Sequence, residues 1–108
     1  SSSKAFIRDG KTIHLFAWNE VWLIESMDNY ARIFYCDHHV LFKASLNQLE
    51  EKLAILQLFR ANRAQLVNLD FLESFKGNAQ GLQLSLKFGQ NEIPVSRNMV
   101  PKIKNLLE

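Results

Sequence analysis

Val21-Trp22-Leu23-Ile24 is a continuous apolar run, rich in β-branched and aromatic residues. It reads as a strand buried on both faces. Hairpins stand on either side of it. Before it, Ala5-Phe6-Ile7-Arg8 reads as a short strand, Asp9-Gly10 as a type I′ turn, and Lys11–Phe16 as the alternating partner strand. Trp18-Asn19-Glu20 then connects to the apolar run. After it, Glu25–Asn29 is polar and turn-like, Tyr30–Cys36 is a strand, Asp37-His38-His39 a turn, and Val40–Lys43 the returning strand.

Ser45 opens a helix. With Gln48 three residues on it has the spacing of a capping box, and Leu46, Leu49 and Leu53 follow on one helical face. Phe71–Phe75 reads as a strand and Lys76–Gly81 as a loop with two glycines. Leu82–Phe88 alternates strictly, as a half-buried strand does. Glu92–Val95 pairs back, and Pro94, lacking an N–H, puts that strand at a sheet edge. A last helix carries Val100, Ile103, Leu106 and Leu107 on one face. Asn98 as its N-cap leaves Pro101 in the first turn, where a missing N–H costs nothing. The outline is about eight short strands and two short helices, at about 45–54 and 98–107: mainly β, antiparallel and hairpin-built.

At 108 residues, 47% hydrophobic and 22% charged, the chain reads as one globular domain over 5–108. Residues 1–4 read as a linker or vector remnant. A net charge of +2 and a pI near 8.8 permit nucleic-acid binding without requiring it. The lone cysteine, Cys36, excludes an internal disulfide and fits a reducing, cytoplasmic setting. No apolar run approaches the ~20 residues of a membrane-spanning helix.

Catalytic chemistry is sparse. His14 lies within a strand and reads as a packing or surface residue. His38 and His39, adjacent in sequence, lack further ligands for a metal. There is no zinc-protease motif, phosphate-binding glycine loop, nucleophile elbow or cysteine pair. No enzyme activity, cofactor, metal or small-molecule substrate is expected.

Donors are plentiful. Phe59-Arg60-Ala61-Asn62-Arg63-Ala64-Gln65-Leu66-Val67-Asn68-Leu69 is apolar at both ends and polar in the middle. Asn62 and Arg63 lie between buried anchors with no acid in the segment. Arg32, Lys43, Arg63 and Arg97 each stand beside a turn or element end, near Asn29, Ser45, Asn62, Ser96 and Asn98. Arg can read guanine, Asn adenine, and Ser and Lys can hold phosphates. The same residues fit an ordinary polar surface, so DNA binding and protein binding both stay open on this ground.

Three blocks, Val21–Ser26 running on to Asn29–Ile33, Phe59–Leu69, and Ile93-Pro94-Val95-Ser96-Arg97, resemble the LytTR-type DNA-binding domain of bacterial response regulators. The resemblance runs from about Ala5 to Glu108. It implies an elongated arrangement of small antiparallel sheets whose loops, rather than a recognition helix, enter the DNA grooves. It also implies cytoplasmic transcription regulation, binding to paired direct repeats in double-stranded DNA, and an upstream receiver or sensor domain. Carried over by position, Arg97 matches a base-contacting Arg, and Arg63 falls where the family contacts DNA from its loop. Lys43 and Ser45 fall near backbone-contacting positions, and Arg32 and Asn29 in a further contact turn. Asn62 and Ala64 replace the commoner His and Ser of their block. Ala31 falls where some members place a base-reading His, and its methyl could meet a thymine. The rival expectation is a protein-binding β module of a signalling protein.

Overall fold

The computed structural model describes residues 3–79, 81–89 and 92–107. Its centre is the apolar run. β3 (Val21–Met27) is the middle strand of a five-stranded antiparallel sheet, ordered β5 (His38–Phe42), β4 (Tyr30–Tyr35), β3, β7 (Gln65–Asn68), β6 (Leu58–Asn62). The four residues of the run are all buried, as expected. Val21 and Ile24 face one core, and Trp22 and Leu23 the other. Two neighbours can share a face because the β3–β4 register shifts between Val21 and Leu23, a bulge that turns one side chain over.

On one face the sheet packs against the hairpin β1 (Lys4–Asp9) and β2 (Thr12–Ala17) and against helix α1 (Leu46–Lys52). Leu46, Leu49 and Leu53 all enter that core, as their spacing requires. On the other face lies a three-stranded sheet, β10 (Ile93–Pro94), β9 (Gly81–Leu86) and β8 (Leu72–Asn78), with helix α2 (Val100–Leu107). There Leu82, Leu84, Leu86, Ile93 and Ile103 bury against Phe59, Ala61 and Val67. Burying each such side chain stabilises by about 1.5–3 kcal/mol. The body is elongated, 45 × 31 × 25 Å. Pro94 does sit on an edge strand. Asn68, 2% exposed, donates to the Val21 carbonyl (2.8 Å) and accepts from Asp70 N–H (3.0 Å), which satisfies a buried amide.

Several sequence expectations are corrected. The described residues hold ten strands, not eight, because Phe59–Leu69 is itself a hairpin, β6–β7. The first turn is Gly10-Lys11, flanked by the pair Asp9–Thr12. Only Gly10 has positive φ, 65°, so it follows the II′ pattern with glycine first rather than I′. The histidines belong to β5: Tyr35 pairs with His38, and the turn is Cys36-Asp37, with Cys36 at φ 49°. Phe71 ends a short 3-10 turn and the strand starts at Leu72. Asn98 does not cap α2. It lies inside a 3-10 turn, Arg97–Met99, that Ser96 precedes. Leu106 and Leu107 on α2 stay exposed.

Candidate nucleic-acid interface

The residues singled out from the sequence fall on three backbone segments and on the connection between β5 and α1, and hydrogen bonds run from the second segment to β3, to α1 and to the third segment. The first is the turn between β3 and β4. Met27 pairs with Tyr30, so Asp28 and Asn29 form the loop. Asp28 takes φ 55°, a conformation that short polar side chains tolerate. Asn29, Lys43 and Ser45, with Asp28, Ala44 and Gln48, rim an open depression of 450 Å³. Ser45 Oγ accepts the Gln48 N–H (3.1 Å) and Gln48 Oε1 accepts the Ser45 N–H (2.9 Å), so the expected capping box forms. Behind the turn, Arg32 on β4 reaches Glu25 at 3.9 Å. Its Nε is buried and has no partner among the described residues. Ala31 is fully buried in the core, so its methyl is not presented to a base.

The second segment is the β6–β7 hairpin. Asn62 pairs with Gln65 around a two-residue loop, Arg63-Ala64. The loop holds no glycine. Asn62 Oδ1 closes it instead, accepting the Ala64 N–H (2.9 Å), as Asx turns do. Arg60 braces it from below. Its guanidinium donates to the carbonyls of Asn62 (3.0 Å) and Arg63 (2.8 Å) and to Asn47 (2.9 Å) and Glu50 (3.1 Å) of α1. The acid missing from the segment is thus supplied by a helix. The Ser26 N–H donates to the Ala64 carbonyl (2.8 Å), which joins the loop to the end of β3.

The third segment is the junction Ser96–Asn98. The Ser96 N–H donates to the Ala61 carbonyl (2.7 Å), and Asn62 Nδ2 donates to the Pro94 carbonyl (2.8 Å). The junction therefore rides on β6. Arg97 and Asn98 are exposed and Ser96 is half-buried. Arg97 shares a second depression, of 390 Å³, with Asn78 and Ala79 of the β8–β9 tip.

Arg63, Arg97 and Lys43 are exposed and have no intrachain side-chain partner among the described residues. Asn62 differs. Both hydrogens of its amide are committed, to Pro94 and to Gln65 (2.9 Å). Arg60, Gln65, Glu25 and the β8–β9 tip did not stand out in the sequence, because each also meets a residue of another element: Arg60 meets Asn47 and Glu50, Gln65 meets Glu25, and the tip lies beside Arg97. Among the described residues, no group of three His, Cys, Asp or Glu side chains could hold a metal ion, and no helix is long and apolar enough to cross a membrane.

The LytTr DNA-binding domain family matches residues 11–108. The chain belongs to that family. Among solved structures, the LytTr DNA-binding domain of a response regulator from Bacillus cereus superposes with a TM-score of 0.84. The match covers 99% of this chain and 98% of that one at 19% identity, which establishes the shared fold. No curated protein sequence matches the chain. The LytTR fold accounts for the mostly β architecture of small antiparallel sheets with two short helices, and it identifies the macromolecule such a domain meets as DNA. It is a DNA-binding family rather than an enzyme family.

Proposed function

We propose that this LytTR domain is the sequence-specific output domain of a bacterial transcription regulator, a two-component response regulator acting in the cytoplasm. Its loops enter the grooves of double-stranded DNA at direct repeats, and a receiver or sensor domain precedes it in the full chain. The observation that carries this reading is the linkage of three polar segments. The Arg63 loop is hydrogen-bonded to Ser26, at the end of the strand that leads into the Asp28-Asn29 turn, and its hairpin to Pro94 and Ser96 before Arg97, while Arg63 and Arg97 have no side-chain partner among the described residues. Fixed, desolvable donors on a rigid frame are what groove recognition uses. The solved LytTr domain of similar shape comes from a protein described as a DNA response regulator, which supports the same assignment.

Arg97 and Arg63 then read bases. Lys43, Ser45 and Ser96 hold phosphates, with Asn29, Arg32 and Asn98 flanking them. Asn62 shapes its loop more than it touches DNA, since its donors are already spent. Selection from a random duplex pool tests the proposal. It should return one recurring motif in two copies at fixed spacing. Recovery of unrelated sequences would reject sequence-specific reading.

One observation favours a protein-binding role. Phe6, Ile13 and Leu15 are exposed by 73%, 50% and 62% on one face of the β1–β2 hairpin. A pure protein-binding module predicts no salt-sensitive retention on DNA, so the salt dependence of duplex binding separates the two readings.

A further inference from the structure

Five polar groups form one line through the interface, an ion pair at its first link and hydrogen bonds at the rest. Arg32 on β4 meets Glu25 on β3 (3.9 Å). Glu25 Oε2 accepts from Gln65 Nε2 on β7 (2.9 Å). Gln65 Oε1 accepts from Asn62 Nδ2 on β6 (2.9 Å). Asn62 Nδ2 also donates to the Pro94 carbonyl of β10 (2.8 Å). Two residues further on stands Ser96, whose N–H is held by Ala61.

The direction of this line is fixed at both ends. A carboxylate and a main-chain carbonyl can only accept. Gln65 must therefore turn its NH2 to Glu25 and its oxygen to Asn62, and Asn62 must turn its NH2 to Gln65 and Pro94. Each amide orients the next. Gln65 hydrogen-bonds through both ends of its amide to two other side chains, Glu25 on one side and Asn62 on the other. It is half-buried, so water competes poorly for these bonds.

We infer that Gln65 is a positioning residue that couples the Arg32 edge to the Arg63 loop and the Arg97 junction, and so sets sequence discrimination without touching DNA. The inference rests on the DNA-binding reading. Through Gln65, a shift at one contact segment changes the geometry at the next. The interactions of the separate segments with DNA are therefore not additive.

The experiment measures binding of the chain to its selected duplex and to a scrambled duplex, at several salt concentrations, for three variants. Gln65→Met keeps the length and removes both bonds. Gln65→Glu sets two carboxylates face to face. The exchange Glu25→Gln with Gln65→Glu rebuilds the line. The amide then carried on β3 donates to the carboxylate carried on β7, and that carboxylate still accepts from Asn62. Gln65→Met and Gln65→Glu should lower the specific-to-scrambled ratio by about three- to tenfold and leave the salt slope unchanged. The exchange should recover most of that ratio. Thermal melts accompany each titration. If Gln65→Met fails to fold, the comparison of Gln65→Glu with the exchange still decides. An unchanged ratio in the folded single variants, or an exchange no better than Gln65→Glu, overturns the coupling role. Absence of retention on any duplex by the wild-type chain would instead overturn the DNA-binding reading itself.

Discussion

The Arg60 guanidinium donates to the main-chain carbonyl of Arg63 at 2.8 Å, so one arginine holds the backbone of another in place. With its further bonds to Asn62, Asn47 and Glu50, Arg60 uses the planar fork that lysine lacks. Arg60→Lys keeps the charge but cannot make these bonds together. The substitution should cost about 1–3 kcal/mol of stability and weaken binding to the selected duplex more than to a scrambled one. Chemical denaturation and paired titrations measure the two effects. Equal weakening on both duplexes would show that Arg60 supplies charge rather than loop geometry.

Arg97 and Lys43 are expected to fail differently. Arg97→Ala should cost about 1–3 kcal/mol of specific affinity and relax one base preference. Lys43→Ala should weaken binding to all sequences and reduce the salt slope by about 1. Wild-type affinity in the first variant, or an unchanged slope in the second, would remove that residue from its assigned role.

Ser45 combines a helix cap with a place on the rim of the Asn29–Lys43 depression. Ser45→Ala removes the acceptor for the Gln48 N–H and should cost about 0.5–2 kcal/mol of stability. Ser45→Asp restores a cap but brings an anion to the proposed phosphate surface. It should melt near the wild-type temperature and bind duplex DNA more weakly. Tight binding by Ser45→Asp would place the DNA backbone elsewhere.

Gly89 has φ 79°, and a Cβ there would sit 3.2 Å from the Trp22 ring. Gly10 has φ 65° but open space around it. Both Gly→Ala changes carry left-handed strain of roughly 1–2 kcal/mol, and only Gly89→Ala also presses on a core tryptophan. Gly89→Ala should therefore lower the melting temperature more than Gly10→Ala. Equal losses would mean that the Trp22 ring yields freely.

These residues also show what could be read along the chain. The double-faced burial of Val21–Ile24, the alternation of Leu82–Leu86 and the Ser45–Gln48 box were legible because each is written within a few neighbours. The β6–β7 hairpin was not, because its loop Arg63-Ala64 carries no glycine and is closed by the side chain of Asn62. The turn at Cys36-Asp37 was displaced for a similar reason: Cys36 takes a positive φ without being a turn residue by habit. At the interface the residue types were legible and their meeting was not. Asn29, Lys43 and Ser45 converge only because β4 and β5 pair in a particular register. The Gln65–Glu25 bond spans 40 positions, beyond any local pattern.

The Cys36 turn carries a pH-dependent pair. Glu20 accepts the Ala17 N–H (2.7 Å) and the Cys36 thiol (3.5 Å). The main-chain bond first, then the thiol and the charge of Lys4, hold the Glu20 carboxyl below its ordinary value of 4.5. A carboxyl depressed on folding stabilises the fold above its unfolded pKa, and that contribution is lost as pH falls through the folded value. Melting temperature should therefore drop on acidification below about pH 4.5, and drop less in Glu20→Gln. For Cys36 the shift is upward. Local desolvation, then the bond to Glu20 and the charges of Glu20 and Asp37, raise its thiol. The thiolate is the reactive form, so iodoacetamide should modify Cys36 near pH 8 more slowly than a cysteine in an unfolded peptide. Glu20→Gln should speed that reaction. Equal alkylation rates in the two folded proteins, followed by mass spectrometry, would show that Glu20 does not hold the thiol protonated.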